Sequence, residues 1–99
     1  MIILPIKKKW FDMILSGIKK EEYRDTKPYY TKRFMSEGLF YNRSAVILFR
    51  NGYSNKSPYF KALCSLYIKE GKEEWGAIPG QKYYVLEILK VYKKKGGEK

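Results

Sequence analysis

The fold is decided by the stretch Gly17-Ile18-Lys19-Lys20-Glu21-Glu22-Tyr23-Arg24, which directly follows an apolar helical segment. Its spacing is G-x-K-x-x-E-x-R. In an extended strand side chains alternate between faces, so Glu22 and Arg24 project together while Tyr23 points the other way. Lys19 lies just ahead of this pair. The stretch therefore predicts a short charged strand on which two cations and one carboxylate meet on one face.

An amphipathic helix is predicted before this stretch, from Lys7 to Ser16. Apolar residues recur in it at spacings of three and four, which places Trp10 on the core side. Gly17 suits the left-handed position that ends such a helix. Further upstream, Ile2 to Ile6 is an apolar run of strand length. Its Pro5 has no N–H to donate, so the run belongs at a sheet edge or a strand end.

The segments downstream follow from similar patterns. Lys27-Pro28 favours the start of a helix, because proline is tolerated in the first helical turn. Continuous or alternating apolar runs indicate strands. The predicted segments are a charged strand from Lys19 or Lys20 to Asp25, a short helix from Tyr29 to Met35, a loop from Ser36 to Ser44, a strand from Ala45 to Phe49 that is buried on both faces and ends at an Asn51-Gly52 turn, a strand from Tyr59 to Ile68, a loop from Glu70 to Lys82 and a last strand from Tyr83 to Val91.

Together these segments predict a single α+β domain over residues 1–92. Its architecture is a small β-barrel or curved sheet of about five strands with two helices at one side. A chain of 99 residues is long enough for one hydrophobic core but not for two. Residues 93–99, which hold lysines and glycines, are predicted to form a flexible basic tail.

The chain is strongly basic, with 21 lysine and arginine residues against 10 acidic residues and a formal net charge of +11. Such a charge favours a polyanionic partner, nucleic acid before a membrane surface. Ten tyrosines, five phenylalanines and two tryptophans add rings on which bases can stack. The alternative is a lysine-rich composition that serves solubility or reflects a biased genome. Charge alone does not identify the partner.

The chain has one cysteine, Cys64, and no histidine, so no internal disulfide forms and the usual zinc ligand sets cannot be assembled. We expect no structural metal and no cofactor. Cys64 alternates with apolar residues and is expected to be buried rather than nucleophilic. Without histidine, acid–base chemistry would need a lysine, tyrosine or carboxyl group with a shifted pKa. No apolar run reaches membrane-spanning length, and we expect a cytoplasmic protein.

The helix followed by Gly17, Lys19, Glu22 and Arg24 resembles the ASCH domain family, a branch of the PUA-like β-barrel superfamily whose signature is this G-x-K-x-x-E-x-R spacing. The stretch Pro79-Gly80-Gln81 and the strand after it resemble the closing strand of several members. The order of strands and helices is similar over nearly the whole chain. The resemblance implies a PUA-like barrel, a cleft lined by the three charged residues, and a role in binding RNA or processing its constituents.

The leading hypothesis is an RNA- or nucleotide-binding module. Glu22 is expected to orient Arg24 through paired hydrogen bonds, so that the guanidinium offers its remaining donors to a phosphate or a base edge. The candidate nucleic-acid contacts are Lys19, Lys20, Glu22, Arg24, Arg50, Asn51 and Trp75. The alternatives are an exposed Glu22–Arg24 ion pair, a simple hairpin turn at Asn51 and a Trp75 that caps the barrel.

An enzyme is the second hypothesis. One branch of the family resembles amidohydrolases that act on acylated cytidine, and Lys19 matches the lysine of that branch. Glu22 stands where that branch has a threonine, so Glu22 would act as a general base and Lys19 would stabilise the oxyanion. Glu73 or Glu74 would supply the distant glutamate. Ribonuclease activity would need Lys19 and Arg24 together with Glu22 or a tyrosine. A module that binds an acidic protein is the third hypothesis.

Overall fold

The computed structural model describes residues 1–92 and contains one mixed, curled five-stranded sheet with three α-helices. The elements are β1 (Ile3–Pro5), α1 (Lys8–Leu15), β2 (Glu21–Arg24), α2 (Pro28–Ser36), α3 (Leu39–Asn42), β3 (Ser44–Arg50), β4 (Tyr59–Glu70) and β5 (Lys82–Tyr92), with a 3-10 turn at Glu73–Trp75. The prediction of a small α+β fold with a curved sheet of five strands is confirmed. The tail predicted for residues 93–99 lies outside the described residues.

The strand order is β1-β3-β4-β5-β2, which leaves β1 and β2 as the two edges. β1 pairs with β3 in parallel, and the other pairs are antiparallel. Pro5 lies at the end of the edge strand β1. Proline is tolerated there because the central strands do not need its N–H for their hydrogen bonds. Gly17 follows α1 with a φ of 88°, the left-handed conformation predicted for it. Both predictions are confirmed.

The hydrophobic core lies between the inner face of the sheet and the helices. β4 contributes alternate residues to it, as its sequence predicts, and Cys64 is among them. Burial raises the pKa of the Cys64 thiol to about 12, so this residue is a buried apolar group. Phe11 and Ile14 of α1 and Phe34 of α2 pack against the same face.

Three predictions about local structure are wrong. The outer face of β3 is only half-buried, at Val46 and Leu48, because all three helices cover the inner face. The segment predicted as a loop from Ser36 to Ser44 contains α3, so the fold has three helices instead of two. The Asn51-Gly52 turn is also longer than expected, because residues 51–58 form the connection between β3 and β4.

Candidate functional site

A pocket of 540 Å³ opens between the two edge strands, beside α1 and the 3-10 turn. The edges of the curled sheet do not pair with each other, and the pocket lies in this gap. Five aromatic side chains, two cations, one carboxylate and one amide take part in its lining. The aromatic residues are Trp10, Tyr23, Tyr30, Tyr53 and Trp75, and the polar ones are Lys7, Glu22, Arg24 and Asn51.

Three charged side chains form a cluster beneath this pocket. Glu22 divides its carboxylate between two cations, because Oε1 lies 3.2 Å from Lys19 Nζ and Oε2 accepts a hydrogen bond from Arg24 Nη1. Their side chains are 0% (Lys19), 7% (Glu22) and 13% (Arg24) exposed. The prediction that the motif residues meet is confirmed. We call Lys19, Glu22 and Arg24 the charged floor.

Lys19 lies under the pocket and does not line it. Its ammonium donates to the carbonyl oxygens of Glu21 at 2.5 Å and Trp75 at 3.0 Å, in addition to the Glu22 carboxylate. These three acceptors use all the N–H groups that an ammonium has. Burial lowers the pKa of Lys19, and the Glu22 charge opposes that shift. The expectation that Lys19 offers a charge at the cleft surface is therefore wrong.

Arg24 joins the two edges of the sheet. From β2, its Nη2 donates to the Pro5 carbonyl oxygen in β1 at 2.9 Å, and its Nη1 donates to the Tyr23 carbonyl oxygen at 2.9 Å as well as to Glu22. The expected pair of bonds to Glu22 is thus a single bond. A guanidinium has five N–H groups. Two of them have no partner among residues 1–92.

Aromatic rings surround the charged floor. Trp10 is half-buried and lines the pocket, so the expectation that it packs into the core is wrong. The Lys19 ammonium lies 5.0 Å from the Trp10 ring and 4.8 Å from the Tyr23 ring. Gly76 lies against Trp10 with a φ of 99°, and an added Cβ would come within 3.0 Å of Trp10 Cζ2. Only glycine suits this close approach.

Tyr23 is held at both sides of its hydroxyl group. It donates to Glu21 Oε1 at 2.7 Å and accepts from the Lys72 backbone N–H at 2.9 Å. Burial raises its pKa, which keeps the hydroxyl protonated as a donor. Because Lys72 precedes the 3-10 turn, this bond helps to place Trp75 beside the pocket.

The structure divides the other predicted contacts into two groups. Asn51 and Trp75 line the pocket, and the Asn51 amide is held by a 3.1 Å bond from Nδ2 to the Ile6 carbonyl oxygen. Lys20, Arg50 and Glu74 do not line it. Lys20 and Glu74 are exposed, as is Glu73, so no distant glutamate joins the charged floor. The sequence analysis missed Lys7, Tyr30 and Tyr53, which come from three separate segments.

No family model, curated protein or solved structure matches the chain. The ASCH resemblance thus stays a prediction from the motif. Among residues 1–92, no helix is long and apolar enough to cross a membrane. In the same part of the chain no three acidic or cysteine side chains group closely enough to hold a metal ion.

The arrangement is suited to binding a flat, anionic molecule. Aromatic rings offer surfaces for stacking, while Arg24 and Lys7 supply positive charge at the same pocket. Neither Cys64 nor Lys19 is placed to act as a nucleophile, because Cys64 is in the core and the Lys19 ammonium donates to three acceptors. The geometry therefore supports recognition more directly than covalent chemistry.

Proposed function

We propose that this protein binds single-stranded RNA, or a nucleotide, in the pocket between its edge strands. The observation that carries the proposal is the combination, in one 540 Å³ pocket, of five aromatic side chains with an arginine that has two unused N–H groups. Pockets of about 300–1,000 Å³ are typical of sites for small molecules and cofactors. A base with its ribose and phosphate is a ligand of that kind.

The aromatic side chains supply the stacking surface. Every base has a π-face, so stacking is worth about 1–3 kcal/mol per base and tolerates different sequences. Trp10 and Trp75 are the two tryptophans of the chain, and both line the pocket, where Trp10 is half-buried and Trp75 is buried, with 8% of its surface exposed. Tyr53 projects from the loop between β3 and β4 at the pocket rim and is 89% exposed. These rings favour a base as the part of the ligand that enters.

The polar groups supply the charge complement. Glu22 and the Pro5 carbonyl oxygen fix the Arg24 guanidinium, so little side-chain entropy is lost when its free N–H groups meet a phosphate. Lys7 adds a second cation at the rim. With Asn51 Nδ2 held by Ile6, the Asn51 amide oxygen is available to accept from a base edge.

A hydrolase that acts on acylated cytidine has less support from the geometry. Lys19, the expected oxyanion partner, has its three N–H groups bound below the pocket. Glu22 remains as a base, yet both its oxygens already accept from cations. Incubation with acylated cytidine, followed by chromatography, tests this function. Release of the acyl group by the wild type, lost in Glu22→Gln, would favour the hydrolase over the binding module.

Intrinsic fluorescence tests the binding proposal directly, because both tryptophans line the pocket. We expect titration with each of the four nucleoside monophosphates, and with a uridine decamer, to quench the emission in a saturable way. Lys7→Ala should weaken binding several-fold, while Lys32→Ala, which removes another exposed charge, on α2, should not. The proposal fails if neither the nucleotides nor the decamer changes the emission.

Salt provides a second test. Counterion release makes the logarithm of the binding constant fall with the logarithm of salt concentration, with a slope of about 0.7 for each phosphate contacted on a single strand. We expect decamer binding to weaken steadily between about 50 and 200 mM salt. Affinity that is unchanged over this range would contradict the contacts between Arg24, Lys7 and phosphate.

A further inference from the structure

We propose that the outer face of the sheet carries the RNA strand that flanks the nucleotide in the pocket. This inference rests on the proposed function and extends it from one nucleotide to a path of several. The outer face is the side of β3, β4 and β5 opposite the core. Its relevant residues are the cations Arg50, Lys61 and Lys90 and the tyrosines Tyr59 and Tyr92, which we call the outer track.

Strand register places these residues next to one another. Arg50 pairs with Tyr59, and Lys61 in β4 pairs with Tyr92 in β5. Lys90 lies on the same face as Tyr92, with its ammonium 5.1 Å from the Tyr92 ring. Neighbouring strands are about 4.8 Å apart, and residues i and i+2 of one strand about 6.8 Å apart. Cations and rings therefore follow each other at short intervals.

Within the described part of the chain, the cations of the outer track have no acidic partners. None of Arg50, Lys61 and Lys90 forms an ion pair with another of the described residues 1–92. Lys69, farther along β4, differs because it pairs with Glu21 at 3.0 Å. Arg50 also has a buried Nε that donates to no group of residues 1–92. A buried donor without a partner is unusual, and here it lies beside an exposed, positively charged face.

The outer track begins at the rim of the pocket. Arg50 pairs in register with Pro5 and is followed by Asn51, and both of these neighbours line the pocket. An RNA strand that leaves the pocket at this rim meets Arg50 first. It then reaches Lys61 and Tyr92 one row farther along the sheet. Continuity with the pocket favours the strand that already occupies it over an unrelated partner.

The exposed rings favour single-stranded nucleic acid as the occupant. Tyr59 and Tyr92 are both exposed, and half-buried Leu48 and Leu63 lie between the charges. Surfaces that bind single strands combine cations that follow the backbone with rings on which bases stack, and their sites span about 4–16 nucleotides. Paired bases hide their faces, so a duplex would use the cations but not the rings. The track therefore matches an unpaired strand.

The test compares ligand length in wild type and in the double variant Lys61→Ala/Lys90→Ala. Anisotropy of labelled uridine oligonucleotides at low salt should give the wild type a gain of about tenfold or more from dinucleotide to decamer. The double variant should lose most of that gain, and its salt slope should fall by about 1.4. Quenching by uridine monophosphate should stay unchanged. Lys32→Ala/Lys82→Ala removes the same charge elsewhere and should keep the gain.

The outcomes separate this inference from the proposed function. Equal decamer affinity in the double variant and the wild type would overturn the outer track while leaving nucleotide binding in the pocket intact. Decamer binding that depends on Lys61 and Lys90, without tryptophan quenching, would support the track and contradict the pocket. Equal affinity for duplex and single-stranded RNA would overturn the role of the tyrosines. Binding to phosphatidylglycerol vesicles without RNA binding would overturn the inference.

Discussion

The charged floor and the outer track both contain cations, but only one of them contains its own counter-charge. In the floor, Lys19 and Arg24 share the Glu22 carboxylate and also donate to backbone carbonyl oxygens. In the outer track, Arg50 and Lys61 face no carboxylate within residues 1–92. Among residues 1–92, the protein itself therefore compensates the cations of the floor but not those of the outer track.

This difference indicates that the charged floor has a structural role. Buried charges are costly unless they are paired and hydrogen-bonded, so a paired cluster is retained where it fixes surrounding elements. The floor ties the 3-10 turn, β2 and β1 together through the Trp75 carbonyl oxygen, Lys19, Glu22, Arg24 and the Pro5 carbonyl oxygen. The motif that stands out most in the sequence thus builds the pocket, while most of the residues that line the pocket lie outside the motif.

The largest effect is expected from Lys19→Met. The substitution keeps the length of the side chain but leaves one carboxylate oxygen and the carbonyl oxygens of Glu21 and Trp75 without a buried donor. Breaking a buried pair in this way costs about 3–5 kcal/mol. Urea unfolding measures the change, with Lys20→Met at the exposed neighbouring position as the control. Equal stability of the two variants would contradict the prediction that Lys19 in the charged floor stabilises the fold more than the exposed Lys20 does.

Arg24→Ala is expected to be the next most destabilising change. It removes the link between the two edges of the sheet and leaves Glu22 with one cation, at a cost of about 2–3 kcal/mol. Arg50→Ala, by contrast, removes no ion pair within residues 1–92 and relieves an unsatisfied Nε, so its effect should stay within about 0.5 kcal/mol. The same unfolding experiment measures both. Similar losses at both positions would contradict the comparison.

The pH dependence of stability tests whether water is excluded from the core around Cys64. The Cys64 thiol has a pKa of about 12 in the folded protein, against an ordinary value of 9.0, chiefly because of burial and secondly because of the Glu22 charge. Between these values the folded state binds more protons than the unfolded state. The free energy of unfolding should therefore fall as pH rises from 9 to 12, by at most about 1.4 kcal/mol per unit.

Cys64→Ala provides the control for this measurement. The variant should show a shallower decline over the same pH range, since it lacks the buried thiol; the raised pKa of Tyr23 still lowers its stability as pH rises, while the lowered pKa of Lys19 acts in the opposite direction. Identical slopes in the two proteins would show that water reaches Cys64.

The smallest change in stability is expected at the rim. Tyr53→Ala and Tyr41→Ala each remove a tyrosine that is 89% and 86% exposed, respectively, so both should change the free energy of unfolding by less than about 0.5 kcal/mol. Only Tyr53 lines the pocket. Nucleotide titration should therefore show several-fold weaker binding for Tyr53→Ala and wild-type binding for Tyr41→Ala. Equal binding by both variants would remove Tyr53 from the site.

The sequence predicts well what depends on local pattern. α1, the charged strand β2, the edge position of Pro5 and the burial of Cys64 all follow from periodicity and from the backbone properties of proline and glycine. The meeting of Glu22 and Arg24 follows from the two-residue period of a strand. These features involve residues close in sequence, so their geometry can be derived without the tertiary fold.

The sequence does not predict how far the long-range packing buries each group. Lysine is almost never fully buried unless it is paired, and the carbonyl oxygen that holds Lys19 comes from Trp75, distant in the sequence. Trp10 is on the apolar side of α1, yet it faces the gap between the two edge strands. That gap arises from the strand order. The sequence pattern of α1 therefore cannot show whether Trp10 faces the gap or the core.

The two short edges of the sheet also determine how the chain behaves beside copies of itself. An exposed strand edge is a template on which another molecule can add a strand and start an aggregate. β1 is only three residues long and ends in Pro5. β2 is four residues long and carries charged side chains, and one of these, Arg24, reaches across the gap to the Pro5 carbonyl oxygen. Neither edge offers a long row of free donors and acceptors. We therefore expect the protein to resist edge-to-edge assembly in concentrated solution, although the edges of its curled sheet are not paired with each other.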